Sequence, residues 1–299
     1  MGMLRTIKLI LSHPLNQSQK LAAILRYARW QIGSRVLGAP IAIRFVDQTR
    51  LLVRRGMKGA TQNIYCGLHE FEDMAFVLHT LTDSDGFVDV GANIGSYSIL
   101  AAGAVGARCV SIEPILSTYT HLIDNVRLNG IDDRVMALNI GIGKERGILR
   151  FTYSFDSVNH VLAESEKGNE SIKVEVECLD EILSDFEPMI IKIDVEGFET
   201  NVITGAHKVL SRNSLFAVIL ELNGSGDRYG FDENDIHRRM LNYGFGTFRY
   251  LPFERKLVAL DGTNAHSGNT LYIRLNAQGN VATRLRDARK YMTSVGIEV

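Results

Sequence analysis

Short apolar segments alternate with segments of helical periodicity from residue 86 onward, and this alternation constrains the fold more than any other feature of the chain. Five apolar runs have the length of buried strands: 87–90, 108–112, 135–139, 189–194 and 216–222. Helical periodicity occupies the segments 96–105, 117–128, 198–210 and 233–242. Strands separated by helices predict an α/β fold with a mostly parallel sheet and helices on both faces. A chain of 299 residues, 45% of them hydrophobic, can form one large domain of this kind with a small appendage.

The remaining segments predict additions to this sheet. Short strands are expected at 147–153 and 171–177 in a long insertion, and at 246–250, 255–259 and 270–274, where they indicate an antiparallel edge. The N-terminal pattern predicts an amphipathic helix over 17–37, a hairpin over 41–55 and a helix over 70–82. We therefore divide the chain into an N-terminal helix and hairpin cap at 1–65, a main domain at 66–278 and a C-terminal tail or helix at 279–299.

The N-terminal segment is strongly basic, although the whole chain has a net charge of −1. Residues 1–60 contain eleven lysines and arginines and a single acid, Asp47. The predicted helix carries an apolar stripe with Arg26 pointing away from it; the stripe is formed by Leu21, Ile24, Leu25, Ala28, Ile32 and Val36. A segment of this kind suits contact with an anionic membrane or a phosphorylated substrate, or docking on the acidic remainder of its own chain.

The cysteine count and the length of the apolar runs indicate in which cellular compartment the protein is expected. Three cysteines without a C-x-x-C pair argue against a disulfide framework or a structural zinc site, and favour a reducing compartment. No apolar run approaches the ~20 residues of a membrane span, and the N-terminal apolar run is too short for a signal peptide. We expect a cytoplasmic protein, with peripheral contact at the inner face of the membrane through residues 1–60 as a further role. The absence of a basic-aromatic stripe argues against nucleic-acid binding.

The segment FVDVGANIGSYS, residues 87–98, has the pattern of a turn that joins a strand to a helix beside a nucleotide. Gly91 and Gly95 are present, but Asn93 and Ser96 stand where the dinucleotide motif G-x-G-x-x-G requires glycine. That motif places a pyrophosphate at the helix N-terminus, whereas Asp89 at the mouth of this turn favours a cationic or amine-bearing ligand. The alternative is a tight turn that binds nothing.

Further acids follow other strands of the predicted sheet. Glu113, in SIEP, lies where α/β nucleotide folds place a carboxylate on the ribose hydroxyls, about 20 residues past the glycine turn. Asp194 and Glu196, in IIKIDVEGFE, emerge at the end of another buried strand. Because open α/β sheets bind ligands beyond the carboxyl ends of their strands, these acids predict one ligand site with a general base or a metal ligand. Glu196 has two structural alternatives, helix capping and pairing with Lys192.

The ordered motifs DVGANIG, SIEP and IKIDVEGFE, preceded by YCGLHEFEDM, resemble those of the FkbM family of S-adenosylmethionine-dependent methyltransferases. The resemblance covers residues 60–275. It implies a class I, Rossmann-like methyltransferase fold, whose seven-stranded sheet has one antiparallel strand. It also implies O-methylation of a hydroxyl group on a sugar, glycan or secondary metabolite, as in polysaccharide biosynthesis.

The same resemblance assigns roles to the residues of the turn and the strand ends. Asp89 and the backbone of Gly91, Ala92, Asn93 and Gly95 would hold the methionine end of the cofactor. Glu113 would bind both ribose hydroxyls. Ile112 and the turn from Asn139 to Gly141 would enclose the adenine.

A hydroxyl acceptor has to lose its proton during methyl transfer, so a base is useful. The candidates are His69, His160, Asp194 and Glu196, of which His160 lies in the long insertion, where it could cover a substrate cleft. No metal is expected. The alternative is Mg²⁺ held by oxygen atoms of Asp194, Glu221 and Asn223.

Two other functions are compatible with parts of the sequence. An NAD-dependent oxidoreductase of Rossmann type shares the strand-turn-helix pattern, but Asn93 and Ser96 disfavour it. A membrane-docked binding module without catalysis would place the 17–37 helix on anionic lipid.

Overall fold

The computed structural model describes residues 3–153, 159–166 and 170–299. Its strands are, in chain order, β1 (Ile41–Arg44), β2 (Arg50–Val53), β3 (Gly86–Val90), β4 (Arg108–Ile112), β5 (Val135–Leu138), β6 (Gly141–Ile142), β7 (Gly147–Phe151), β8 (Ile172–Glu177), β9 (Ile190–Ile193), β10 (Ala217–Glu221), β11 (Phe245–Leu251), β12 (Lys256–Ala259) and β13 (Asn269–Arg274). Its α-helices are α1 (Met3–Ser12), α2 (Lys20–Leu37), α3 (Lys58–Cys66), α4 (Phe71–Thr80), α5 (Ser96–Ser98), α6 (Leu116–Leu128), α7 (Leu179–Ile182), α8 (Glu199–Thr204), α9 (His207–Leu210), α10 (Glu233–Asn242) and α11 (Gln278–Asp287).

The main sheet has eight strands within the described ranges, in the order β12-β11-β13-β10-β9-β3-β4-β5. The five strands from β10 to β5 are mutually parallel, which confirms the predicted α/β fold. Strand β13 runs antiparallel between β10 and β11, and β12 returns antiparallel along β11. The sheet therefore has one strand more than the seven that the family resemblance implied, and two of its strands, not one, run against the others. The extra strand arises because the segment after β11 folds straight back as a hairpin.

The parallel strands are buried on both faces, as their continuous apolar runs predict. Successive residues of β3, Phe87 and Val88, belong to different hydrophobic clusters on the two sides of the sheet. Ile190 and Ile191 of β9 divide in the same way. Because these strands are also parallel, their carboxyl ends lie at one common edge of the sheet.

The predicted helices and strands correspond closely to the observed ones, with some differences. The helix predicted over 198–210 is two helices, α8 and α9, because Gly205 passes within close reach of Gly143, whose carbonyl oxygen would lie 2.2 Å from an added Cβ atom. The helix predicted over 96–105 is α5 followed by a π-helical stretch, Ile99–Val105. The predicted insertion strands, β7 and β8, form a separate small sheet with β6. Neither α1 nor α3 was predicted.

The N-terminal cap packs on one side of the main sheet. Ile10, Ala23 and Trp30 join the same hydrophobic cluster as Phe87. The predicted boundary at residue 65 falls inside α3, and the predicted tail begins as α11. Within the part of the chain that is described, no helix is both long and apolar enough to span a bilayer.

The C-terminal segment that follows α11 returns to the cap. Arg289 pairs with Asp47, with 2.8 Å between Nη1 and Oδ2, and Thr293 forms a β-bridge with Val46. Gln19, just before α2, donates a hydrogen bond to the carbonyl oxygen of Val295 at 2.9 Å. The first and last parts of the described chain are therefore joined.

Candidate active site

The carboxyl ends of β3, β4, β9 and β10 open into a cavity of about 280 Å³. Parts of α3 and the segment leading into α4 close its other side. The cavity brings together most of the acids that the sequence singled out: Asp89, Glu113, Asp194, Glu196 and Glu221. Four strand ends that are remote in sequence thus form one site.

The glycine turn after β3 is shaped by the close approach of β9. Gly91 has φ +80°, and a Cβ atom added to it would lie 1.8 Å from the carbonyl oxygen of Asp194. The amides of Gly91 and Ala92 both donate to the carbonyl oxygen of Ile112, at 3.0 and 2.9 Å. Only glycine fits at position 91, because β9 passes so close to it, and Gly91 also lines the cavity.

Asn93, the departure from the dinucleotide motif, has φ +51°. Asparagine is one of the few residues with a side chain that enters this left-handed region without large cost, because its short polar group bonds locally. Its Oδ1 accepts from the amide of Ile94 at 2.8 Å, and its own amide donates to Oε2 of Glu113 at 3.0 Å. Asn93 therefore provides the backbone shape of a glycine and also links the turn to the next strand.

Glu113 is oriented by two backbone amides. Oε1 accepts from Ile115 and Oε2 from Asn93, both at 3.0 Å. Burial raises the pKa of Glu113 to about 7, and the two amide bonds oppose this shift. Each carboxylate oxygen has a second lone pair, so the side chain can still accept two hydrogen bonds from vicinal hydroxyls.

Asp89 lines the cavity at the end of β3 and also anchors the helix after the turn. Its Oδ2 accepts from the amide and the hydroxyl of Ser98, at 3.1 and 2.7 Å. Burial raises the pKa of Asp89, opposed by the positive charge of Lys192.

The buried Lys192 and the half-buried Asp194 form an ion pair in the cavity wall, with 2.6 Å between Nζ and Oδ2. Burial disfavours both charges, but each partner outweighs that cost, so the pKa of Asp194 lies below its ordinary value and that of Lys192 above. Glu221 lies beside Asp194, and burial together with the charge of Asp194 raises the pKa of Glu221 to about 10. Lys192 thus favours the ionised form of Asp194, whereas burial and the charge of Asp194 favour the protonated form of Glu221.

Glu196 adopts a left-handed backbone, with φ +56°, directly before Gly197. Burial and the nearby charge of Asp194 raise the pKa of Glu196 to about 7. Neither structural alternative for Glu196 is seen, because Lys192 pairs with Asp194 and Glu199 accepts the amides of Val195 and Gly197. Glu196 is thus a carboxyl group in the cavity wall whose pKa lies near neutral pH.

His69 lines the cavity, as expected of a base candidate. Its Nδ1 is buried and has no hydrogen-bond partner among the described residues. Its amide donates to Oδ1 of Asn63 at 2.9 Å, which fixes the backbone that carries the ring.

Three predicted residues have side chains engaged elsewhere. His160 is buried in the insertion, where Nε2 lies 3.0 Å from Oε1 of Glu166, although its neighbours Asn159 and Val161 line the cavity. The side-chain amide of Asn139 donates to the carbonyl oxygens of Glu113 and Pro114, so Asn139 stabilises the turn, while its neighbours Ile140 and Gly141 line the cavity. Asn223 is exposed and accepts from the amide of Ser225. In the set of oxygen ligands predicted for Mg²⁺, Glu196 replaces Asn223. Carboxylate oxygens of Asp194, Glu196 and Glu221 all lie within 4.8 Å of one another.

Sequence reasoning missed a polar network on the α4 side of the cavity. The hydroxyl of Tyr97 donates to Oε2 of Glu70 at 2.8 Å, and the side-chain amide of Asn269 donates to Oε1 of Glu70 at 3.0 Å. The ammonium of Lys192 lies 4.9 Å from the centre of the Tyr97 ring. The one available signal was Lys192 itself, a charged residue within an isoleucine strand.

Acids outnumber bases in the described wall of the cavity. Six carboxyl groups face one lysine and one histidine; the acids are Glu70, Asp89, Glu113, Asp194, Glu196 and Glu221. The upward pKa shifts of Glu113, Glu196 and Glu221 show that burial and mutual repulsion disfavour their charges. A cationic ligand would relieve that repulsion, whereas a pyrophosphate would increase it.

The glycine turn and the strand-end acids Asp89, Glu113, Asp194, Glu196 and Glu221 fall within a region that matches a known protein family. The family model described as "Methyltransferase FkbM domain" matches residues 89–246, from the acid before the glycine turn to the start of β11. The chain belongs to the FkbM methyltransferase family. The matched region contains the glycine turn, Glu113 and the Lys192–Asp194 pair of this FkbM domain.

Curated relatives of the chain are also methyltransferases. Hexuronic acid methyltransferase AglP of Haloferax volcanii is 27% identical over 170 residues, which cover 56% of this chain and 66% of AglP. Methyltransferase sdnD of Sordaria araneosa is 29% identical over 181 residues, which cover 48% of this chain and 70% of sdnD. A solved precorrin-6y C5,15-methyltransferase from Geobacter metallireducens aligns with 69% of this chain and 87% of its own at 13% identity, with a TM-score of 0.37.

Proposed function

We propose that this protein is an S-adenosylmethionine-dependent O-methyltransferase that acts on a hydroxyl group of a sugar, glycan or secondary metabolite. The observation that carries the proposal is the acid-rich cavity at the strand ends, with a glycine turn on one side and Glu113 on the next strand. Family membership supports the reaction class.

The residues present fit this cofactor. S-adenosylmethionine supplies a methyl group on a sulfonium and carries an amino-acid end, a ribose and an adenine, but no phosphate. The turn residues Gly91, Ala92 and Asn93 line the cavity, and Glu113 keeps two acceptor positions for the ribose hydroxyls. The excess of carboxyl groups in the wall suits a cationic molecule. Ile112, Pro114 and Ile140 form the apolar part of the wall nearest Glu113 and would enclose the adenine.

The chain's own groups can orient an acceptor and take its proton. Glu196 is the strongest candidate for the base, because a pKa of about 7 leaves it half ionised at neutral pH. Asp194, fixed by Lys192, is suited to orient the acceptor hydroxyl through a charge-assisted hydrogen bond. His69 is a second candidate base in the same wall. Alignment of the reacting groups in such a site accounts for several kcal/mol of the acceleration.

A sugar acceptor is supported by one relative. AglP is named as a hexuronic acid methyltransferase, and its similarity extends over 170 residues of this chain. We propose a glycan with a free hydroxyl on an acidic or neutral sugar as the first acceptor to test.

We expect catalysis without a divalent metal. Of the three clustered carboxyl groups, Asp194 already has a positive partner in Lys192, and burial beside Asp194 favours the protonated form of Glu221. Turnover should therefore continue in EDTA. A loss of activity that Mg²⁺ restores would instead identify Asp194, Glu196 and Glu221 as ligands.

Equilibrium binding separates this function from a Rossmann oxidoreductase. At 100 times its Kd, S-adenosylmethionine should stabilise the fold by about 2.7 kcal/mol, read as a rise in melting temperature, while NAD should not. Glu113→Gln should abolish the rise, and Glu175→Gln, on an exposed part of β8, should preserve it. Stabilisation by NAD, or an unaltered shift in Glu113→Gln, would contradict the proposal.

The acceptor is tested by mass spectrometry. The protein and S-adenosylmethionine would be incubated with glycans that carry hexuronic acids and with matched neutral glycans. We expect a product heavier by one methyl group in place of one hydrogen, with the methyl on oxygen. Glycans that all remain unmodified, alongside a polyketide that gains the methyl, would move the acceptor to secondary metabolites.

A further inference from the structure

The outer face of the N-terminal helix α2 is apolar and uncovered. Leu21, Ile32 and Val36 are 76%, 65% and 77% exposed, and Leu25 beside them is 47% exposed. At about 100° per residue these four side chains fall within an arc of about 60°. The predicted apolar stripe therefore exists, but it faces solvent and not the rest of the chain.

The opposite face of α2 is held firmly against the domain. Trp30 and Ala23 are buried there. Nη2 of Arg26 donates to Oδ1 of Asn16 at 2.6 Å and to the carbonyl oxygen of Tyr65. Nε2 of Gln31 donates to the Tyr65 hydroxyl at 3.0 Å. These polar anchors fix the rotation of the helix, so the apolar stripe cannot turn inward without breaking them.

Basic side chains surround this stripe. Arg29 and Arg35 are exposed on its two flanks, and Lys20 precedes it. Helix α1, which packs against α2, adds exposed Met3 and Leu4. Residues 1–46 contain no acid, and Asp47 is already paired with Arg289. An exposed apolar surface within a strongly positive segment is complementary to an anionic lipid surface and not to a second copy of itself, because two such positive surfaces repel.

We propose that α1 and α2 dock this protein on an anionic lipid bilayer, with the stripe Leu21, Leu25, Ile32 and Val36 inserted at the interface. The docked face is one helix away from the cavity. Tyr27 of α2 packs on Tyr65 of α3 with 5.2 Å between ring centres, and α3 supplies Gly59, Gln62 and Asn63 to the cavity wall. Docking would bring the cavity close to a hydroxyl acceptor carried at the membrane surface.

The full chain would be sedimented with vesicles of phosphatidylcholine alone and of phosphatidylcholine with phosphatidylglycerol. We expect binding to the anionic vesicles to be at least about tenfold tighter, because each basic side chain near the surface adds to the attraction. Leu25→Glu/Ile32→Glu should abolish it. The matched control Ile148→Glu/Leu241→Glu changes two exposed apolar residues outside the cap and should bind as the parent does. Arg29→Gln/Arg35→Gln should reduce the preference for anionic vesicles.

Three results would overturn the proposal. The first is failure of the parent protein to bind anionic vesicles, and the second is equal binding by the parent and Leu25→Glu/Ile32→Glu. The third is a parent protein that binds no vesicles and is a dimer in light scattering, while Leu25→Glu/Ile32→Glu is a monomer. The last result would assign the stripe to a second copy of the chain. Stabilisation by S-adenosylmethionine would be measured on the same samples. If the protein binds S-adenosylmethionine but no vesicles, only the docking proposal fails and the proposed function stands.

Discussion

The turn at Gly91 shows how one backbone position can determine both stability and binding. Gly91→Ala would force a left-handed alanine against the carbonyl oxygen of Asp194. The left-handed conformation alone costs about 1–2 kcal/mol, and the overlap adds to it. Gly130, with φ +62° and nothing within 4 Å of an added Cβ, offers the matched control.

Urea unfolding of the two variants measures the difference. We expect Gly130→Ala to lower the free energy of unfolding only by the conformational cost. Gly91→Ala should lower it further and should also abolish the binding of S-adenosylmethionine. Equal destabilisation of both variants would mean that the turn relaxes away from β9.

Glu196 should control the pH dependence of turnover. Its pKa of about 7 means that the carboxylate, which can accept a proton, is present above this pH and is lost below it. We expect kcat/KM to rise with pH through about 7 and then level off. Glu196→Gln should lower kcat/KM by about 10²–10⁴-fold and remove this rise, as measured by initial rates across pH.

Glu175→Gln is the control for that series, because Glu175 is exposed and outside the cavity. A rise that persists in Glu196→Gln and disappears in a His69 variant would assign the base to His69.

At the scale of elements, β9 carries the charge that organises the site. Lys192→Met would leave Asp194 without its partner, and removal of one member of a buried pair costs about 3–5 kcal/mol. Because the Asp194 side chain is 26% exposed, we expect the low end of this range. Lys192→Met/Asp194→Asn should recover most of the loss, as thermal unfolding in a double-mutant cycle would show. Additive losses would contradict the pairing.

The strands and the acids at their ends could be predicted because both follow from local pattern and general topology. Buried parallel strands are continuous apolar runs, and their carboxyl ends meet at one edge. This reasoning predicts that Asp89, Glu113 and Asp194 share one site, and all three line the cavity. It did not find the link between Glu70 and Asn269, whose positions in the chain are 199 residues apart.

Sequence periodicity could not show which face of α2 is buried. An apolar stripe indicates a buried face only when packing is driven by hydrophobic contact. Here the inner face is held by Trp30 and by the hydrogen bonds of Arg26 and Gln31, and Arg26 points away from the stripe, as predicted. Helix α3 was missed because KGATQNIYC is short, at nine residues, and contains a glycine.

At the scale of the whole molecule, buried acids make stability depend on pH. Burial, with the charge of Glu70 adding to it, raises the pKa of Asp73 from 3.8 to about 7 in the folded state. A raised carboxyl pKa favours folding while the group is protonated, so its contribution is lost as pH rises from about 4 to about 7. Asp73→Asn keeps an acceptor for Asn269 and carries no charge. We expect it to melt higher than the parent at pH 8 and no higher at pH 4, measured by calorimetry. A lower melting temperature at pH 8 would show that the Asp73 charge is stabilising.

The joining of the first and last parts of the described chain has a consequence for the order of folding. The ion pair between Asp47 and Arg289 and the hydrogen bond from Gln19 to Val295 connect residues 242 and 276 positions apart. Contacts of such long sequence separation form late, because the entropy of closing the loop must be met first. During synthesis, α1, α2 and the β1–β2 hairpin leave the ribosome well before the segment that secures them. The nascent cap therefore exposes apolar surface for most of the time that the sheet is being made, and chaperones would have the greatest effect on yield during this interval.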